Sequence, residues 1–216
     1  SSKLKIDSMI PIDSLITFVI AAALLSLAPG PDNVFVLTQS ALYGRVSGLL
    51  VTLGLCTGLL VHTAAVALGI AVIFQTSAVA FTALKLVGAG YLLYLAWLAW
   101  RAAPASLSDV TSTVRSYGSL YRRGIYMNIS NPKVSIFFLA FLPQFVSPDQ
   151  GSVAIQMMIL GALFICITLV VFGAIAALAG ILGERLSRSE TAQRNLNRVA
   201  GVVFAALAIK LLSTQQ

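Results

Sequence analysis

Between Ile12 and Leu212 the chain is a succession of long apolar runs, and nothing else in it restricts the fold as strongly. Six runs can be marked, at about 12–43, 47–74, 82–100, 124–146, 153–182 and 199–212. Most are near the ~20 residues that carry a helix across ~30 Å of hydrocarbon. The sixth is short, and Lys210 near its end would reach for the interface by snorkelling. The runs show no period-2 alternation with a polar lumen face, which counts against a β-barrel. With 58% hydrophobic and 10% charged residues, no water-facing surface can be assembled. The chain therefore reads as an all-α membrane protein with six transmembrane helices.

The net charge of +7 raises the question of nucleic acid, and its distribution answers it. The basic residues sit in short segments between apolar runs, not on one continuous face with interleaved aromatics. Segments after the first, third and fifth runs carry Arg45; Arg101, Arg115, Arg122, Arg123 and Lys133; and Arg185, Arg188, Arg194 and Arg198. The opposite side has Lys3, Lys5, Lys85 and Lys210. Ten against four places the polar loops at about 101–123 and 183–198 in the cytoplasm and both termini outside. A missed or re-entrant segment would move one terminus inside. Ser1–Ser8 is polar and unpatterned and reads as an upstream extension or remnant, with Met9 near the natural start. A cleaved signal peptide is rejected, because apolar helix continues straight past Leu27-Ala28. Cys56 and Cys166 both lie inside apolar runs and read as small packing residues rather than a disulfide or metal framework.

Two interruptions carry the chemistry. The first is Ala28-Pro29-Gly30-Pro31-Asp32-Asn33. Pro29 and Pro31 remove backbone donors and disfavour continuous helix. In hydrocarbon such a break is tolerated only against protein or a water-filled cavity. The half-helix starting near Asp32 would aim its N–H groups and positive dipole end into that cavity. Asp32 is itself an ionisable group well inside a span, which marks a functional site. The second is Asn128-Ile129-Ser130-Asn131-Pro132-Lys133, where Asn131 can cap a half-helix with Pro132 at its first position. Val134–Val146 is too short to span alone, so Lys133 lies below the surface or snorkels to it. An ordinary helix start at the interface is the plainer alternative. If both breaks reach the midplane, Asp32 and Lys133 are near-symmetric partners. Either they form a buried ion pair at rest, favoured because an unpaired buried charge is costly, or Asp32 takes an ammonium or proton while Lys133 and the helix ends take a carboxylate. A zwitterionic amino acid would suit the second arrangement.

The two halves resemble each other. Leu84-Lys85-Leu86-Val87-Gly88-Ala89 aligns without gaps to Leu196-Asn197-Arg198-Val199-Ala200-Gly201, and the broken runs open each half. A repeat of three spans is inserted upside down relative to its partner, the plan of many secondary transporters. The expectation is two inverted three-helix repeats, about 12–101 and 124–214, with helices 1 and 4 broken and a polar linker at about 102–123. Gly54 and Gly58, Gly173 and Ala177, and Gly201 and Ala205 have the spacing of close helix packing. A homodimer stays open.

Other polar residues within spans are candidate cavity linings: Gln39, Gln144, Asn33 and His62. His62, the one histidine, either relays a proton or is a hydrogen-bonded structural residue. Tyr91, Tyr94, Trp97 and Trp100 read as an interface belt. No nucleophile triad, metal-ligand spacing, phosphate loop or ATP-binding segment is present in the sequence. No enzyme, cofactor or metal is therefore expected.

Taken with Gly54-Leu55-Cys56-Thr57-Gly58, Lys85-Leu86-Val87-Gly88-Ala89-Gly90-Tyr91 and Phe141-Leu142-Pro143-Gln144-Phe145, the two breaks resemble the LysE/RhtB family of bacterial amino-acid exporters over the whole chain from Met9. The resemblance implies export of amino acids or close derivatives across the cytoplasmic (inner) membrane, driven by the proton gradient. It places function at Asp32, Asn33, Asn131 and Lys133, with Gly30 at the break, and His62 matches the homoserine-threonine-like branch. The expected partners are the amino acid, protons and the lipid bilayer. Alternatives are a metal cation as cargo, an intramembrane enzyme acting on lipid phosphates, or a structural membrane partner. The first has few ligands, the second only Arg122-Arg123, and the third no need of broken helices.

Overall fold

The computed structural model describes residues 10–76, 78–102 and 116–213. The segment around Met9 and the linker residues 103–115 lie outside the described residues. Every regular element among the described residues is helical: α1 (Ile12–Leu27), α2 (Pro31–Tyr43), α3 (Arg45–Thr76), α4 (Ala78–Arg101), α5 (Tyr117–Ile129), α6 (Pro132–Ile136), α7 (Val153–Arg188) and α8 (Glu190–Ser213). Parts of α3, α4, α7 and α8 are long and apolar enough to cross a membrane. Two more spans arise if each bent pair counts as one, α1 with α2 at 60° and α5 with the segment from Pro132 to Phe145 at 49°. Counted that way, the expected six are four long helices and two broken ones.

The helix boundaries follow from local chemistry. α2 starts with Pro31 at its first turn after an extended Gly30, where a missing N–H does no harm. It ends at Gly44, whose φ of 86° is the left-handed conformation that glycine adopts without a steric penalty. α6 repeats the α2 start, with Asn131 as cap and Pro132 in the first turn. Beyond Ile136 the chain widens into a π turn at Phe137–Phe141 and tightens into a 3-10 turn at Leu142–Phe145. Pro143 can donate no hydrogen bond to the carbonyl one turn back, which is a local cause for leaving α geometry there.

Two of the sequence-based boundaries need correction. The stretch 183–198 is not a loop: α7 runs to Arg188 and α8 starts at Glu190. The linker likewise gives way to helix at Tyr117. Arg, Glu, Gln and Leu are good helix formers, so the helices continue where the apolar runs stop.

The molecule is inside-out relative to a soluble protein. Leu68, Val170 and Ile209 are exposed, while Asp32, Asn131, Lys133 and Gln156 are buried. The core is led by phenylalanines: Phe18, Phe137, Phe141, Phe145 and Phe164 stack with centroid separations of 5.0–6.4 Å. Packing between the halves is reciprocal. α3 packs on α7 and α4 on α8, while the first arm of each broken span packs on the other half's long helix, α1 on α7 and α5 on α3.

The α3–α5 crossing is the closest. A Cβ on Gly54 would strike the Tyr121 carbonyl oxygen, one on Gly124 would strike the Val51 carbonyl oxygen, and the two glycines' backbones meet. One turn along, a Cβ on Gly58 would lie 2.7 Å from Asn128. The Gly54/Gly58 stripe therefore seats α5 and fixes the depth of Asn128. Gly201 similarly faces the Ala96 carbonyl of α4 at 3.1 Å, measured from the position a Cβ would take, whereas Gly173 meets nothing within 4 Å and packs no neighbour.

Candidate functional site: the crossing of two broken helices

The proline break of the first span frees the last carbonyls of α1. Pro29 and Pro31 lack N–H groups, and the last helical bond of α1 runs from the Ala28 N–H to Leu24 O at 2.9 Å. Leu25 O, whose helical partner would be the nitrogen of Pro29, is left without one. The second half supplies the substitute. Lys133 Nζ donates to Leu25 O at 3.4 Å and to Ala28 O at 3.2 Å. Asn33 turns back and donates from Nδ2 to Ser26 O at 2.7 Å. An ammonium at a helix C-terminus also meets the negative end of the dipole. Lys133, 7% exposed, is thus the cap of a helix in the other half.

Asp32 and Lys133 occupy equivalent places, each directly after the proline that opens its half-helix. Asn131 joins them. Its Nδ2 donates to Asp32 Oδ2 at 2.7 Å, and its Oδ1 accepts from the Lys133 N–H at 3.0 Å. Asp32 and Lys133 make no direct contact, although each feels the other's charge. The freed carbonyls of α1 take the ammonium, and Asp32, 3% exposed, is held by the Asn131 amide.

Behind this junction lies a small cavity of ≈ 20 Å³, room for roughly one water. Ser26, Asp32, Asn128, Lys133 and Thr168 supply its polar wall, and Leu59, Phe164 and Phe172 are among its apolar lining. Ser26 Oγ, Asp32 Oδ1, Asn128 Oδ1 and Thr168 Oγ1 are buried without a hydrogen-bond partner.

To two broken helices, one capped by a lysine of the other beside a small cavity, a sequence match is added. The LysE type translocator family matches residues 23–215. The chain belongs to that family. It is 33% identical over 198 residues to a homoserine/homoserine lactone efflux protein of Salmonella typhimurium, covering 92% of this chain and 95% of the relative. It is 32% identical over 200 residues to an uncharacterized membrane protein of Vibrio cholerae, covering 93% and 97%. A Bacillus subtilis membrane protein, YrhP, is 27% identical over 206 residues, covering 91% and 97%. No solved structure matches.

In this translocator, the residues expected at the site differ in how close they come to the cavity. Asp32, Asn131, Lys133 and Gly30 come together, with Gly30 close enough that a Cβ would lie 3.1 Å from Lys133 Nζ. Asn33 supports the break rather than the cavity wall. His62 stands one residue back: its Nε2 lies 3.2 Å from Asn128 O, and its ring packs 5.6 Å from that of Phe138. A carbonyl can only accept, so Nε2 carries the hydrogen in that bond. Gln39 is buried in α2 with Oε1 unpartnered, but does not line the cavity. Gln144 is not brought to the site. It bonds to its own helix at Ala140 O, 3.3 Å. Ser26, Asn128 and Thr168 were not singled out in the sequence, although Asn128 belongs to the second break motif.

Gly30 has a φ of −162°, extended backbone open to any residue, so its requirement is space. Gly30→Ala should push Lys133 Nζ off its carbonyls by a few tenths of an ångström. The expected result is a loss of about 1 kcal/mol, read as a melting temperature lower by about 2–4 °C in detergent. An unchanged melting temperature would mean that Lys133 is not held as described.

Proposed function

We propose that the translocator exports a small amino acid or derivative of the homoserine type across the bacterial cytoplasmic membrane. The observation that carries this reading is the cavity with Asp32 and Lys133 in its wall, at the crossing of two broken helices, in a chain of this family. The homoserine/homoserine lactone efflux protein of Salmonella typhimurium supports the cargo class. The cavity holds about one water, so an amino acid enters only when the helices around it part. The reciprocal packing of the halves supports alternating access by two inverted repeats, one rocking against the other. Exchange with protons would use Asp32, which takes a proton or cargo by turns.

The test is efflux from preloaded proteoliposomes, screened over homoserine, its lactone and the common amino acids, with and without an imposed proton gradient. Export of homoserine-type cargo, accelerated by the gradient, is the expected result. Absence of efflux for every compound, with the protein inserted, sinks the reading. Orientation is tested by single cysteines at Ser116 and Ser187. Both should react with an impermeant maleimide in inverted vesicles and not in intact cells.

A further inference from the structure

We infer that the cavity selects its cargo by the ammonium group and is indifferent to the carboxylate, an inference that rests on the export reading above. The distribution of used and unused hydrogen-bonding groups carries it. Four oxygens on residues that line the cavity have no hydrogen-bond partner: Ser26 Oγ, Asp32 Oδ1, Asn128 Oδ1 and Thr168 Oγ1. Each belongs to a residue no more than 4% exposed. One is half of a carboxylate, one is an amide oxygen that can only accept, and two are hydroxyls that can accept or donate, so acceptors outnumber donors in the set. A primary ammonium offers three hydrogens and a positive charge to such a set.

Most of the fixed donors that a carboxylate would need are already engaged. Lys133 gives two of its three ammonium hydrogens to Leu25 O and Ala28 O. Those bonds answer carbonyls freed by the break, so transferring them to a cargo would leave backbone acceptors bare in hydrocarbon. The start of α6 is also occupied. Pro132 has no N–H, the Lys133 N–H goes to Asn131 Oδ1, and the Val134 and Ser135 N–H groups go to Asn131 O at 3.1 and 3.0 Å. The start of α2 is guarded by Asp32, whose charge would repel an anion placed there. What remains of the wall is largely apolar and suits a neutral ring or chain. A lactone, which has an ammonium but no carboxylate, satisfies this wall as fully as the free amino acid.

The experiment uses the purified full chain with four probes: homoserine, homoserine lactone, homoserine amide and N-acetylhomoserine. Binding is read by isothermal titration in detergent, and export by counterflow in proteoliposomes. The lactone and the amide should bind within about threefold of homoserine, a difference under ~1 kcal/mol. N-acetylhomoserine, which keeps the carboxylate and loses the ammonium, should bind about 100-fold more weakly, the scale of a lost charged hydrogen bond. Thr168→Val, which keeps shape and removes one acceptor, should weaken homoserine and its amide equally, by about tenfold. Comparable binding of N-acetylhomoserine and homoserine, or exclusion of the amide, overturns the inference, as does failure of all three amines to bind. Amine binding without counterflow supports ammonium selection and overturns the export reading. Counterflow of homoserine with the amide excluded does the reverse.

Discussion

Lys133→Met is expected to abolish export and to lower the melting temperature of the purified protein more than any other single change at the site. Methionine keeps most of the aliphatic stem, so little apolar packing is lost. The ammonium is lost, and with it both bonds that hold the broken end of α1, to Leu25 O and Ala28 O. Each bare buried carbonyl is destabilising by roughly 1–3 kcal/mol. Asp32 then keeps its Asn131 bond but loses the nearby positive charge. Removing one member of a buried charged pair typically amounts to 3–5 kcal/mol. The sum sits in that range rather than above it, because the two penalties share the same atoms and do not add. For a chain of this size it corresponds to a melting temperature lower by about 6–20 °C. Thermal denaturation in detergent beside efflux from vesicles checks both halves of the statement. A Lys133→Met protein of unchanged melting temperature would show that the carbonyls of α1 do not depend on the second half.

The part of this site that could be read in the sequence is the part that violates the rule of its surroundings. Asp32 and Lys133 are charges within apolar runs, and each follows a helix-breaking proline. Such residues have few explanations in a membrane. The packing stripe at Gly54 and Gly58 was legible for the same reason, since its spacing has one main use. Ser26 and Thr168 were not legible, because a hydroxyl inside a membrane helix normally bonds its own backbone. Thr52, Thr57 and Thr63 do so, to Gly48 O, Leu53 O and Leu59 O at 2.8–3.0 Å. Only the fold reveals that Ser26 and Thr168 do not. Gln144 misled in the opposite direction: it is polar, in a span, and spent on its own turn. Asp32 and Lys133 stay near each other without touching because the same prolines that exposed the site also freed carbonyls, and those carbonyls take the ammonium. Hydropathy, finally, locates where lipid ends but not where helix ends, which is why 183–198 proved helical.

Asp32→Asn should also eliminate export, by at least about 100-fold, but with a different signature in stability. Asparagine has the shape of the carboxyl group, and its Oδ1 can still accept the Asn131 amide where Asp32 Oδ2 now does at 2.7 Å. What disappears is the negative charge, and with it the proposed ammonium partner for the cargo and the proposed proton acceptor. A hydrogen bond to a charged group is worth roughly 1.5–3 kcal/mol, and the charge itself adds to this in a cavity from which water is nearly excluded. Lys133 still has Leu25 O and Ala28 O, so the protein should lose less stability than Lys133→Met does. The double variant separates the two roles. In Lys133→Met alone, Asp32 is a buried charge without compensation; adding Asp32→Asn removes that charge. The double variant is therefore expected to be more stable than Lys133→Met by about 0.5–3 kcal/mol, the usual coupling of neighbouring residues, while export stays absent. A double-mutant cycle on melting temperature, run beside counterflow, measures both. If the double variant instead shows the sum of the two single losses, Asp32 and Lys133 are not coupled. Their matching positions at the two breaks would then be a coincidence of helix starts. If stability is regained together with export, the charge at Asp32 is structural and the cargo is held elsewhere.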